Sequence, residues 1–251
     1  MAKTIVIYGL HAVNAYLDRH PEDVLEVFLL KSRDDERLNN LIKALRPLGI
    51  TLQWRDRAQL DDLASDSHHQ GVVARVREQA PGDEHDLMNF LDALSVPPFL
   101  LLLDNVTDPH NLGACLRTAD GAGVHAVITP RDRAASITPI VRKVACGAAE
   151  SLPFFQVTNL AMLMKSLRDR GVWLIGTALE EGAKPLHEVD LRGPLAIVMG
   201  AEGSGMRRLT REHCDVLAYI PMAGTVESLN VSVATGVTLF EALRQRKAAG
   251  G

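Results

Sequence analysis

The sequence predicts an α/β protein built in two parts, and three patterns carry that expectation. Short runs of Val, Ile and Leu recur at strand length, separated by segments with apolar residues at helical spacing. From Phe99 onward the runs are almost wholly apolar, as strands are when helices cover both faces of a parallel sheet. A proline-punctuated, acidic stretch at 79–97 interrupts the alternation and divides the chain.

Taken in order, residues 5–8, 24–30, 50–54 and 71–76 read as strands. Between the second and third, Leu38, Leu41, Ile42 and Leu45 recur at helical spacing, and Pro47 and Gly49 mark the stop. Pro81-Gly82, a short helix over 87–94 and Pro97-Pro98 make the divider. Strands follow at 99–103, 124–128, 154–157, 172–178, 195–199 and 217–220, with helices between them. The last helix is expected from about 231 to 246. Asn230 or Ser228 caps its start, and Arg244, Arg246 and Lys247 complement its dipole at the end.

Composition limits the function classes. A chain of 251 residues with 47% hydrophobic content can bury one large core or two modest ones. Its longest apolar run, around 99–103, is too short to span a bilayer, and no membrane partner is expected. The N-terminus lacks the pattern of a secretory signal. Three scattered cysteines suit a reducing compartment and match no zinc or disulfide spacing. The net charge of −4 does not advertise a nucleic-acid binder. The acidity is local, however. Residues 79–97 carry four acids and no Lys or Arg, whereas 98–251 balance 16 basic against 15 acidic side chains. Arg131/Arg133, Arg142/Lys143 and Arg207/Arg208/Arg211 are candidate basic patches, each as readily a solvated face.

Three blocks at or just beyond strand ends carry the chemistry. They are 111–117 (NLGACLR), 198–205 (VMGAEGSG) and 220–232 (IPMAGTVESLNVS). In an open parallel sheet, loops at the carboxyl ends of strands converge on one crevice, where ligands bind. Glycines at 200, 203 and 205 do not have dinucleotide-fold spacing, and no Gly-Lys-Ser/Thr phosphate loop is present. Asn111 and Arg117 alone read equally as a helix cap and a surface arginine. Cys115 sits beside Leu112, Leu116 and Ala119 on an apolar helix face and reads as core rather than nucleophile. His68-His69 lacks a third ligand at useful spacing, and no metal site is expected.

Together the blocks resemble the three signature motifs of the SpoU (TrmH-like) branch of the SPOUT RNA methyltransferases. Asn111, Gly113 and Arg117 match Asn-x-Gly-x-x-x-Arg. Gly200, Glu202 and Gly205 match Gly-x-Glu-x-x-Gly after an apolar strand. Ile220, Pro221, Met222 and Ser228 to Ser232 match the third motif. Residues 8–13 and 70–76 also look like this group, so the resemblance covers nearly the whole chain.

The resemblance implies a catalytic domain at 98–251 with a parallel sheet and a deep trefoil knot, a rarity that no pattern argument predicts. It implies a small L30e-like RNA substrate-binding domain at 1–78 and a linker at 79–97. It further implies a cytoplasmic homodimer that uses S-adenosyl-L-methionine to methylate the ribose 2′-oxygen of a guanosine in 23S ribosomal RNA, in the peptidyl-transferase-centre region. The alternatives are a transfer-RNA enzyme of the same family and a catalytically silent RNA-binding relative. By the same resemblance Asn111, Arg117, Glu202, Ser228 and Asn230 are the catalytic group. Thr177, Gly200, Ile220, Met222, Leu229 and Asn230 line the cofactor. Arginine resists deprotonation, so Arg117 is expected to anchor a phosphate or ribose rather than act as base. Asn230 is expected both to cap the last helix and to touch ribose or the methionine group.

Overall fold

The computed structural model describes residues 3–66 and 68–249, and the chain divides into two compact units. The first comprises the chain up to Ala80 together with Cys146–Ser151. It holds a four-stranded sheet of order β1-β4-β2-β3, with β1 Thr4–Tyr8, β2 Val24–Leu30, β3 Thr51–Arg55 and β4 Val72–Arg77. β4 runs antiparallel to β1 and β2, and β3 runs parallel to β2. Strand alternation puts Val27, Leu29, Val72, Ala74 and Val76 on one face. There they meet α1 (Leu10–Arg19) and α2 (Glu36–Leu45) through Leu10, Val13, Leu17, Leu38, Leu41 and Leu45. Asp35 caps α2 by accepting from Leu38 N at 3.0 Å. The other face carries Phe28 and Val73, covered by α3 (Arg57–Ala64) through Leu60. A reciprocal capping box of Asp56 and Gln59 opens α3.

The second unit begins at Pro81, so most of the stretch expected as a linker is built into it. Gly82 N donates to Phe154 O at 3.2 Å, and Gln156 N donates to Gly82 O at 2.8 Å. α4 (Glu84–Ala93) buries Leu87 fully in the core, and its Asp92 pairs with Arg170. A seven-stranded, wholly parallel sheet follows, of order β7-β6-β5-β10-β8-β11-β9. Its strands are β5 Phe99–Asp104, β6 Ala126–Pro130, β7 Phe154–Val157, β8 Trp173–Thr177, β9 Lys184–Pro185, β10 Leu195–Gly200 and β11 Val216–Tyr219. Five consecutive residues of β10, Leu195 to Met199, are buried, the signature of a strand covered on both faces.

The helices of this half are α5 Pro109–Gly121, α6 Pro139–Ala145, α8 Leu160–Asp169, α9 Arg208–Glu212 and α10 Val231–Ala249. The short α7 (Ala148–Ser151) belongs to the first unit. α5 and α10 lie side by side and parallel. The contacts Asn111–Asn230, Cys115–Thr235, Thr118–Gly236 and Gly121–Phe240 advance together along both helices. None of the described helices is long and apolar enough to cross a membrane.

Candidate active site

The connections leaving β5 and β10 run to opposite sides of the sheet, although the strands are neighbours: β5 leads to β6, whereas β10 leads to β11 beyond β8. Such a switch point leaves a crevice at the carboxyl ends. Gly200 pairs with Asp104 there, at the last register position. All three sequence blocks converge on this end. α5 carries the first, the loop after β10 the second, and the segment joining β11 to α10 the third.

One side chain ties them together. Asn230 Nδ2 donates to Asn111 Oδ1 at 3.0 Å and to Glu202 Oε2 at 3.1 Å. Asn230 Oδ1 accepts from Ser232 N at 2.9 Å and from Ser232 Oγ at 2.6 Å. A backbone N–H can only donate, so Ser232 fixes which end of the amide is oxygen. Both hydrogens and both lone pairs of Asn230 are therefore in use. The expected cap is present, but the expected ribose or methionine contact has no free valence in this arrangement. Asn230 instead aims Asn111 and Glu202, leaving Asn111 Nδ2 and Glu202 Oε1 free of protein partners among the described residues.

Gly200 is constrained by its own loop. A Cβ there would lie 2.2 Å from both Gly205 C and Met206 N. The loop returns onto its own start, with Ala201 and Gly205 exchanging hydrogen bonds of 3.1 and 2.8 Å. Gly203 and Gly205 adopt left-handed φ of 77° and 65° to close it. Gly113 is likewise a packing requirement, since a Cβ would come within 2.7 Å of Val144 Cβ and 2.9 Å of Val141 O on α6.

The loop's far end is pinned by a pair that the sequence reading missed. Asp104 is fully buried, and its carboxylate accepts from Arg207 N at 2.8 Å and Arg207 Nε at 2.7 Å. A buried carboxylate needs such a partner. The signal was present: Asp104 ends an otherwise apolar strand, at the carboxyl edge where charge belongs to a site.

The remaining expected residues are more dispersed. Arg117 is exposed on α5, about 9 Å along the helix from Asn111 at 1.5 Å per residue, and it has no ion pair among the described residues. Ser228 is exposed and stands outside the Asn230 cluster. Ile220, Met222 and Leu229 are half-buried along the segment that leads to α10. Thr177 ends β8, and its Oγ1 donates to Val198 O of β10 at 3.4 Å. Cys115 is buried against Thr235, 3.5 Å from its hydroxyl, and burial pushes its thiol up to about 11. At neutral pH it is a protonated core group, not a nucleophile.

Known proteins share this plan. Residues 98–240 match the model of the SpoU rRNA Methylase family, and residues 6–81 match that of RNA 2′-O ribose methyltransferase substrate binding. A relative from Pectobacterium atrosepticum, 23S rRNA (guanosine-2′-O-)-methyltransferase RlmB, is 61% identical over 96% of this chain and 98% of its own. The SpoU methyltransferase AviRb of Streptomyces viridochromogenes, solved in complex with AdoMet, superposes with a TM-score of 0.76. It is 25% identical, over 98% of this chain and 91% of that one. The TrmH/SpoU tRNA modifying enzyme of A. aeolicus matches 66% of this chain and 84% of its own, at 30% identity and a TM-score of 0.57. With its motifs joined through Asn230 and its family match spanning more than half its length, the chain belongs to the SpoU rRNA methylase family.

Proposed function

We propose that the protein transfers a methyl group from S-adenosyl-L-methionine to the ribose 2′-oxygen of a guanosine in 23S ribosomal RNA, in the peptidyl-transferase-centre region. The observation that carries this reading is the Asn230 bridge, which holds a carboxylate and a carboxamide of two other motifs at one strand-end crevice. The 61% identity to the P. atrosepticum enzyme extends through both units and supports the ribosomal substrate over a transfer RNA. The retained Arg117, Asn111 and Asn230 speak against a silent relative.

The crevice fits the cofactor. Its loops offer backbone groups at Gly200, Ile220, Met222 and Leu229, with Thr177 as a wall. Asn105, just past β5, has a buried Oδ1 with no donor among the described residues. Bound S-adenosylmethionine supplies an electrophilic methyl group on a sulfonium. Arg117 holds a target phosphate with its planar fork and so sets the 2′-hydroxyl in line, a proximity effect. Asn111 orients the ribose through its free amide N–H groups. Glu202, held by Asn230, would accept the hydroxyl proton as the O–C bond forms and the methyl–sulfur bond breaks to leave a neutral thioether. Ser228 lies at the rim and contacts substrate.

The same reading includes a cytoplasmic homodimer, an RNA-contacting domain at 1–78 and the trefoil knot. Dimerisation is supported by Val233, Val237 and Phe240, at i, i+4 and i+7 on α10 and 51%, 42% and 50% exposed. The test is to map ribose methylation across 23S RNA from cells with and without the gene, and to restore it with purified protein and tritiated cofactor. Loss and restoration at one guanosine is expected, and an unchanged map overturns the reading.

A further inference from the structure

A groove of about 370 Å³ lies on the sheet of the first unit, lined by Glu26, Phe28, Gln53, Arg55, Gln59, Asp62, Leu63 and Arg75. α3 covers only part of that face, through Leu60 and Leu63. On the uncovered part the register sets Glu26 beside Arg75, and Phe28 beside Gln53. Phe28 is the floor. The guanidinium carbons of Arg55 and Arg75 stand 5.8 and 5.5 Å from its ring centre. Cations over an aromatic face are held in place and keep an outward planar surface.

The two arginines differ in what they have left to offer. Arg75 is engaged by Glu26, which also accepts from Gln53 Nε2 at 2.7 Å. Arg55 reaches only Gln53 Oε1 and its neighbour's carbonyl at Trp54, and it has no carboxylate partner among the described residues. Across the groove on α3, Asp62 is an exposed carboxylate with no ion pair among the described residues, and Gln59 has its amide N–H groups to spare. The groove thus presents a guanidinium plane for stacking, with the free Asp62 acceptor and the free Gln59 donors three residues apart on α3.

We infer that this groove binds an unpaired guanine nucleotide of the RNA substrate, separate from the one that is methylated. Single-stranded bases are recognised by stacking on arginine planes and by hydrogen bonds to their exposed edges. Guanine presents acceptors at O6 and N7, which suit the Gln59 amide, and donors at N1 and N2, which suit the Asp62 carboxylate. Adenine offers an acceptor where guanine has its N1–H, so the carboxylate disfavours it. The inference rests on the reading that the first unit contacts RNA, to which its match to the substrate-binding family model adds support.

The experiment titrates the full chain with uridine heptamers holding one central G or one central A, followed by the NMR signals of Arg55 Nε and the Gln53 and Gln59 side-chain amides. The G heptamer should move these signals and bind at least about tenfold tighter than the A heptamer. Asp62→Asn should erase that preference. Arg55→Ala should weaken the G heptamer about tenfold and raise KM for a 23S RNA fragment, with kcat and cofactor affinity unchanged. Retained folding is checked by the unshifted backbone amides of the first unit that lie away from the groove. Equal binding of both heptamers, or shifts confined to other surfaces, overturns the groove assignment. Normal KM on bare RNA with a defect only on ribosomal precursor particles points to a protein partner and overturns it too. Failure of the wild type to methylate any 23S fragment defeats the enzymatic reading but leaves the heptamer result to judge the groove alone.

Discussion

Asn230 has two amide hydrogens and two acceptor lone pairs, and the fold uses all four. That saturation gives a sharp test. Asn230→Asp would replace the donor with an acceptor facing Asn111 Oδ1 and Glu202. Two adjacent carboxylates raise the pKa of the pair. Methyl transfer at pH 7 should fall at least about a hundredfold, and part of it should return as pH is lowered and one carboxyl regains a donor proton. A pH–rate profile parallel to wild type would remove Asn230 from its positioning role. Arg117 offers a complementary test, because it has no ion pair to lose among the described residues. Arg117→Ala should abolish single-turnover methylation with cofactor affinity near wild type. Arg117→Lys should restore little, since an ammonium lacks the planar fork. Near-normal transfer by the alanine variant would shift the chemistry to Glu202 and Asn111.

Helix packing decides the next scale. Gly113 lets α5 approach α6 so closely that even a methyl group meets backbone at 2.9 Å. Gly113→Ala should destabilise the protein by about 1–3 kcal/mol through overpacking. Denaturant unfolding measures it, and a loss below about 0.5 kcal/mol would mean that α6 yields freely. This element scale is also where the sequence was most legible. All four strands of the first sheet and six of the seven in the second were expected, most within a residue or two, because buried strands announce themselves as apolar runs. β9 was missed because two residues, one of them a proline, carry no periodic signal. α3 was expected from the alternation of strand and helix but not given bounds, because Leu60 is its only fully buried side chain and amphipathic spacing is faint. The site was legible as three blocks but not as a network. Nothing local links Asp104 to Arg207, 103 positions away. Gly200 was expected as a cofactor-lining residue, and the further constraint that its own returning loop excludes a side chain there was not legible.

At the scale of the molecule, the second compact unit starts earlier than the proline pair at 97–98. A fragment from Pro81 retains Gly82 on the sheet edge and Leu87 in the core, whereas one from residue 98 discards both. Removing a buried leucine alone costs about 2–5 kcal/mol. The 81–251 fragment should therefore bind cofactor by calorimetry and lose RNA selectivity, and the 98–251 fragment should melt several degrees lower. Equal melting temperatures would show α4 to be an ornament of the fold.

The Asn230 bridge also sets a schedule. Its partners lie 119 and 28 positions earlier in the chain, and synthesis runs from the N-terminus. A nascent chain can assemble the first sheet, and even β5 against β10, while the catalytic group is still open. Contacts so distant in sequence close slowly, because loop entropy must be overcome before they contribute. Refolding followed by tryptophan fluorescence and by methyl transfer should therefore separate in time, with activity the slower signal. On the proposed assignment of the catalytic group, the chain becomes competent only when residue 230 arrives, and unfinished chains should not methylate RNA.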